Sequence, residues 1–288
     1  MRRNIVSTSA RWFADFSRRK PLGAVGAVIV AFTLVVAIFA PLIAPSDPYR
    51  THADQIFASP GISNLVGTDQ VGRDVFSRLI YGARISLTVG IVSVLIGATI
   101  GSAVGVISAY FGNTTDLIIQ RFLDALIAFP GIILAMGIMA ALGKASLTNV
   151  IIALTVVFAP GAARTIRSRV LSLKEMDFVL AARAVGASDW RIMFRHIVPN
   201  CMSLYIVFFS ITVGFAIVVE ASLSFLGVGT PPEVPSWGGM LSLAANNYIN
   251  VAPLLAVLPG LAIALVVFGF NLLGDALRDV LDPRLRGT

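Results

Sequence analysis

Long apolar runs, separated by short polar breaks, dominate this chain. A helix needs about 20 mostly apolar residues to cross the hydrocarbon core of a bilayer. Six runs meet that length, near residues 22–43, 85–109, 117–142, 148–166, 203–226 and 251–273. They predict an all-α integral membrane protein with six transmembrane helices. The breaks between them carry turn chemistry, such as Ala44-Pro45-Ser46-Asp47-Pro48 and Phe111-Gly112-Asn113-Thr114-Thr115. Pro130-Gly131 should bend the third run, and Pro160-Gly161 lies within the fourth. Gly97, Gly101 and Gly105 share one face of the second run at four-residue spacing. That spacing serves either close helix packing or a pore-lining hinge.

One stretch departs from the pattern. Residues 164–200 are polar and basic, and hold seven of the 22 Lys and Arg residues. Phe178, Ala181, Ala182 and Val185 fall at i, i+3, i+4 and i+7, the apolar face of a helix. Trp190, Met193, Phe194 and Ile197 repeat the spacing, with Arg191 and Arg195 on the outer side. Gly186 between them suits a helix C-terminus. Ser188 is placed to cap the second helix, Asp189 suits its positive end, and Pro199 should stop it. The expectation is a helix–turn–helix elbow on the membrane surface. A plain helical surface loop fits the same pattern. Both flanks enter the membrane, which argues against a DNA-reading role.

The runs and breaks divide the chain as follows. Residues 1–20 form a basic head, in which Trp12, Phe13 and Phe16 suit a short interfacial helix. Residues 21–45 form the first span. The segment lacks a small-x-small cleavage site and is long enough to cross, so it is expected to stay as a helix. Residues 46–84 form a polar loop, 85–274 a five-helix core containing the elbow, and 275–288 a tail.

Composition agrees with the membrane reading. Apolar residues make up 57% of the 288 and charged residues 13%, against about 25% charged in soluble domains. The one cysteine, Cys201, allows no internal disulfide. The net charge of +7 is unevenly spread. Seventeen Lys and Arg residues fall in the head, the second turn, the elbow and the tail; five (Arg50, Arg73, Arg78, Arg84 and Lys144) fall on the other side. The positive-inside rule then puts both termini and the elbow in the cytoplasm.

Few polar groups in the spans suggest chemistry. Arg121 and Asp124, at i and i+3, form either a buried ion pair that fixes the helix or part of an inner gate. Glu220 lies within the fifth run, six residues from its end, or roughly 9 Å at 1.5 Å per residue. An ionisable group at that depth faces protein or a water-filled cavity. It either lines a substrate path or makes a structural hydrogen bond near an outer gate. Gly143-Lys144 resembles the end of a phosphate loop, but Ile138 and Ala145 stand where that loop needs glycine and a Ser or Thr. No metal-ligand spacing is apparent, and His52 and His196 fall on opposite sides. Neither a catalytic centre nor a cofactor or metal site is expected.

Several stretches resemble ABC-importer permeases. Ala181-Ala182-x-x-x-Gly186, followed by a segment ending Val198-Pro199, resembles their EAA loop, although Leu180, His196 and Val198 depart from its pattern. GTDQVGRDVFSRLIYGARISL (67–87), EASLSFLGVGTPPEVPSWGGML (220–241) and the tail GDALRDVLDPRLRGT are similar to permeases of the dipeptide, oligopeptide and nickel class. The resemblance implies a bacterial inner-membrane subunit whose elbow is a coupling helix. Ala181, Ala182, Gly186, Ala187, Ser188, Asp189 and Pro199 would carry the contact to an ATPase. It also implies partners: a second, non-identical permease, two ATP-binding subunits that hold the ATP and Mg, an extracytoplasmic solute-binding protein and membrane lipid. Peptides are the expected cargo, with nickel or another metal chelate as the alternative. Two other classes stay open. An ion-coupled secondary transporter would show internal repeats and midplane charges. A membrane enzyme would need clustered catalytic groups.

Overall fold

The computed structural model describes residues 20–62 and 64–281. The interfacial helix expected in the head and the end of the tail lie outside the described residues. Regular structure among the described residues is helical, apart from one isolated bridge between Thr68 and Asp74. In chain order the helices are α1 (Pro21–Ile38), α2 (Ala40–Ile43), α3 (Val75–Phe111), α4 (Asn113–Ile127), α5 (Gly131–Leu142) and α6 (Leu147–Leu173). Then come α7 (Asp177–Ala184), α8 (Asp189–Ile192), a π-helical turn (Met193–Ile197), α9 (Val198–Phe225), α10 (Trp237–Asn247) and α11 (Leu254–Leu281).

Five helical stretches are long and apolar enough to cross a membrane: α1, α3, α6, α8 through α9, and α11. The third expected span is broken. Helices α4 and α5 meet at 90° across the break before Gly131. Their 15 and 12 residues reach only about 22 and 18 Å, short of a roughly 30 Å core. Pro130 has extended backbone (ψ 130°) and cannot continue the helix, so the bend becomes a corner. The corner still takes the chain from one end of the helix bundle to the other. Tyr110, at the end of α3, touches the elbow, whereas Ala145, just after α5, lines a cavity of about 190 Å³ with Arg78 and Asn246 at the opposite end.

Helices α3 and α6 are among the spans that run past their apolar windows. Helix α3 begins at Val75, ten residues before the expected start, because the Asp74 carboxylate accepts the Ser77 N–H at 2.8 Å and caps it there. Arg78 in this extra stretch is buried, and it donates to the Pro48 carbonyl at 3.0 Å. Helix α6 likewise runs on to Leu173, past Arg164, Arg167 and Arg169. Arginine is a good helix former, so a change in hydropathy there does not end a helix.

Helices α3 and α6 make the most intimate contact. A Cβ built on Gly97, Gly101 or Gly105 would lie 2.8, 2.1 or 2.3 Å from the carbonyl oxygen of Thr155, Ala159 or Ala163. The obstacle is backbone, so only glycine permits this approach. The glycine face is therefore a packing surface, one of its two expected roles. Around it Leu87, Val94, Leu154, Ile217 and Leu223 form a buried core with α9. Helix α11 packs against α9 and α1, and Lys20 joins Asp279 at 2.6 Å, tying the start of α1 to the end of α11.

Gly101→Leu should force the two helices apart. Overpacking of this kind costs about 1–3 kcal/mol or more. A lower midpoint of thermal unfolding in detergent is expected. Gly137→Leu, where a Cβ meets nothing within 4 Å, should leave that midpoint close to the parent's.

Candidate functional site

The elbow grows from the end of α6. Lys174 and Glu175 turn the chain into α7, whose final turn is closed by a paired set of hydrogen bonds. Ala187 N–H reaches the Ala182 carbonyl and Gly186 N–H the Arg183 carbonyl, each at 3.0 Å. This is a Schellman closure, and it requires a left-handed residue after the cap. Gly186 supplies it at φ +79°, with open space around its Cα, so its requirement is conformational rather than steric. The left-handed helix end expected at Gly186 is present.

Other expectations for the elbow need correction. Ser188 stands at the cap position with extended backbone, but its hydroxyl makes no capping bond. Asp189 is held instead by a residue distant in sequence: the Tyr110 hydroxyl donates to its Oδ1 at 2.6 Å. Pro199 does not end the second helix. It lies in the first turn of α9, where a missing N–H is tolerated. Just before it the chain widens into the π turn, in which the Val198 N–H reaches back five residues to Met193. The chain is thus helical from Asp189 to Phe225.

The buried side of the elbow is the expected one only in part: Met193 and Ile197 of the second stripe are buried, whereas the first stripe is not. Val179, Ile192, Met193 and Ile197 sink into a cluster with Val106, Tyr110, Ile166, Val170 and Leu173. The periodic residues Phe178, Ala181 and Val185 are exposed instead, Val185 to 84%, and Ala182 is half-buried. Trp190 and Phe194 are also exposed, with their rings stacked at 5.9 Å. The elbow therefore stands on one apolar face and presents a second one outward.

Charged groups brace its base. The Arg167 Nε donates to Asp116 Oδ1 at 2.7 Å, and Ser108 Oγ donates to the same carboxylate. The Lys174 ammonium reaches the Ala109 carbonyl at 3.3 Å. Asp124 pairs with Arg164, while Arg121 is 4.0 Å away with 78% of its side chain exposed. The Arg121–Asp124 contact at i, i+3 is thus present but exposed, not the buried ion pair that was one of its two expected roles, and the closer partner of Asp124 is Arg164 of α6. The sequence did carry a signal for these links: opposite charges, Asp116 and Asp124 against Arg164 and Arg167, lie at matching ends of neighbouring runs.

At the opposite end Glu220 is fully buried. Ser86 Oγ donates to its Oε2 at 3.2 Å and Ser224 Oγ to its Oε1 at 2.9 Å. The Trp237 N–H donates to Ser86 Oγ at 3.3 Å, and the Trp237 indole to the Leu79 carbonyl at 2.9 Å. Thr230 and Ser236 join the set through their hydroxyls, 2.7 Å apart. Protein encloses the carboxylate, which clamps α3, α9 and the start of α10 together. Of its two expected roles, this geometry fits the structural hydrogen bond. Glu220→Leu leaves two buried hydroxyls without their acceptor, at about 1–3 kcal/mol each. A clear fall in thermal midpoint in detergent is expected, with Glu220→Gln falling less because one acceptor remains.

Comparison with known proteins supplies the family. Residues 97–287 match the family described as binding-protein-dependent transport system inner membrane component, and residues 16–60 match the N-terminal TM domain of oligopeptide transport permease C. The chain is 41% identical over 282 residues to the glutathione transport system permease protein GsiD of Pectobacterium atrosepticum, covering 98% of this chain and 93% of that protein. It is 45% identical over 271 residues to the GsiD of Escherichia coli O6:K15:H31, covering 94% and 89%. Among solved structures, an inward-facing form of the MetNI methionine ABC transporter matches with a TM-score of 0.59 at 20% identity, over 71% of this chain and 96% of that one. That likeness supports the fold. The chain therefore belongs to the binding-protein-dependent transport inner membrane components, and is a multi-pass inner-membrane permease subunit of an ABC importer of the peptide and nickel class.

Proposed function

We propose that this subunit forms half of the translocation path of an ATP-driven peptide importer, and that α7 is the surface its ATPase partners grip. The observation that carries the coupling role is the outward apolar face of α7. Phe178, Ala181 and Val185 are exposed beside Arg183 and Arg191, while Val179 anchors the same helix in a buried cluster. An exposed apolar helix face rimmed by charge suits a groove on a partner. Ala182, Gly186, Ala187, Ser188, Asp189 and Pro199 shape or flank that face, and the Schellman closure fixes the turn from α7 into α8.

The charge count supports the orientation. Seventeen cationic residues against five favour a cytoplasmic elbow, within reach of ATPases. In this reading two ATP-binding subunits hydrolyse ATP with Mg, a second and non-identical permease completes the path, and an extracytoplasmic solute-binding protein delivers cargo to the side of Glu220 and Trp237. ATP binding moves the elbows, and the spans rock between inward-open and outward-open packings. The names of the GsiD relatives support a short peptide such as glutathione over a nickel chelate.

The test is uptake of labelled glutathione and other tripeptides by proteoliposomes holding the full importer and its binding protein. ATP-dependent uptake is expected. Gly186→Pro and Ala182→Glu should reduce it at least tenfold while the chain still inserts and assembles; normal uptake by both would overturn the coupling role. Orientation has its own check. Cys201 is buried, so a membrane-impermeant maleimide should report added cysteines. Val185→Cys should react only in inside-out vesicles, and Glu233→Cys only in right-side-out ones.

A further inference from the structure

We propose that Tyr110 is a positioning residue that fastens the elbow to α3, so that motion of the elbow is passed along this one helix to the outer closure. The inference rests on the coupling role above and adds the linkage that such a role requires.

Helix α3 touches both working ends of the molecule. At the elbow end three successive residues each hold a different partner. Ser108 bonds Asp116 of α4, the Ala109 carbonyl accepts from Lys174 at the end of α6, and the Tyr110 hydroxyl donates to Asp189 at 2.6 Å. Of these three links, only that of Tyr110 enters the elbow beyond Gly186. Its ring is buried in the cluster that holds Val179 of α7 and Ile192 of α8, and its hydroxyl faces Arg183 of α7 as well as Asp189 of α8. At the other end Ser86 and Leu79 of the same helix bond Glu220 and Trp237. Ser86 and Tyr110 are about 36 Å apart along an unbroken helix. The glycine face against α6 leaves that helix no room to bend toward its neighbour.

Asp189 belongs to a four-residue helix, and no capping bond from Ser188 holds it. Without the Tyr110 bond, α8 keeps its apolar anchors but loses its directional tie to α3. ATP-driven displacement of α7 would then be absorbed locally, as slippage between elbow and span. The expected signature is uncoupling. The ATPases still bind and turn over, but less cargo moves per ATP.

The experiment uses the complete importer in proteoliposomes, measuring tripeptide uptake and ATP hydrolysis per assembled complex. Tyr110→Phe keeps the buried ring and removes only the hydroxyl. It should lower uptake per ATP about tenfold, the scale of one lost hydrogen bond to a charged group, at unchanged complex yield. The hydroxyl also faces the Arg183 guanidinium, so in an Arg183→Leu/Asp189→Leu background, where both of its polar neighbours are gone, the same change should add less than a twofold effect. Gly186→Pro separates the two proposals. If it abolishes uptake while Tyr110→Phe transports at the parental ratio, the Tyr110 link is wrong and the coupling role stands. If both transport normally, the coupling role fails as well. A loss of uptake that only follows loss of assembled complex would show a structural role and overturn the proposal.

Discussion

The architecture depends on how closely two backbones approach. Where α3 meets α6, three glycines face three carbonyl oxygens at distances that leave no space for a methyl group. Within a bilayer, apolar surface gains little from leaving lipid, so close van der Waals contact and polar bonds must hold helices together. The glycine face provides the first over several turns. It sets the spacing of α3 and α6, and both ends of that pair then become platforms, one for the elbow and one for the Glu220 closure.

Polar groups at those platforms supply the second. An unpaired charge or hydroxyl is costly in this setting, so a satisfied pair specifies which helices meet and in what register. Asp116 with Arg167 ties α4 to α6, and Asp124 with Arg164 repeats the link lower on the same helices. Glu220 with Ser86 and Ser224 joins α3 to α9. The broken pair α4 and α5 has few buried residues of its own: Leu123, Ala135 and Met139. Those ion pairs are accordingly what anchors its first half.

Much of this was legible in the residue pattern. The apolar runs located the spans, because hydropathy reports the slab of lipid directly. The four-residue glycine spacing marked a face suited to close packing or to a hinge, and Gly186 marked its turn because only a left-handed residue closes α7. Boundaries were less legible. Val75 and Leu173 extend their helices beyond the apolar windows, since capping and arginine propensity act outside the lipid where hydropathy carries no signal. The elbow's periodicity was real, but it did not tell which face would be buried. Two apolar stripes compete there, and the choice depends on where α3 and α6 end.

The sequence by itself determined the membrane class, the approximate spans, the uneven spread of charge between them and the local shape of the elbow turn. Each follows from short-range preference or from composition summed along the chain. Only the tertiary structure decided that Pro199 continues a helix rather than ending one, that Asp124 turns to Arg164, and that Tyr110 holds Asp189. It likewise decided that Glu220 is enclosed by serines. The Asp124–Arg164, Tyr110–Asp189 and Ser86–Glu220 contacts join residues 40 to 134 positions apart. They exist because helix packing brings distant turns to the same depth in the membrane, and no local rule in the chain encodes that depth.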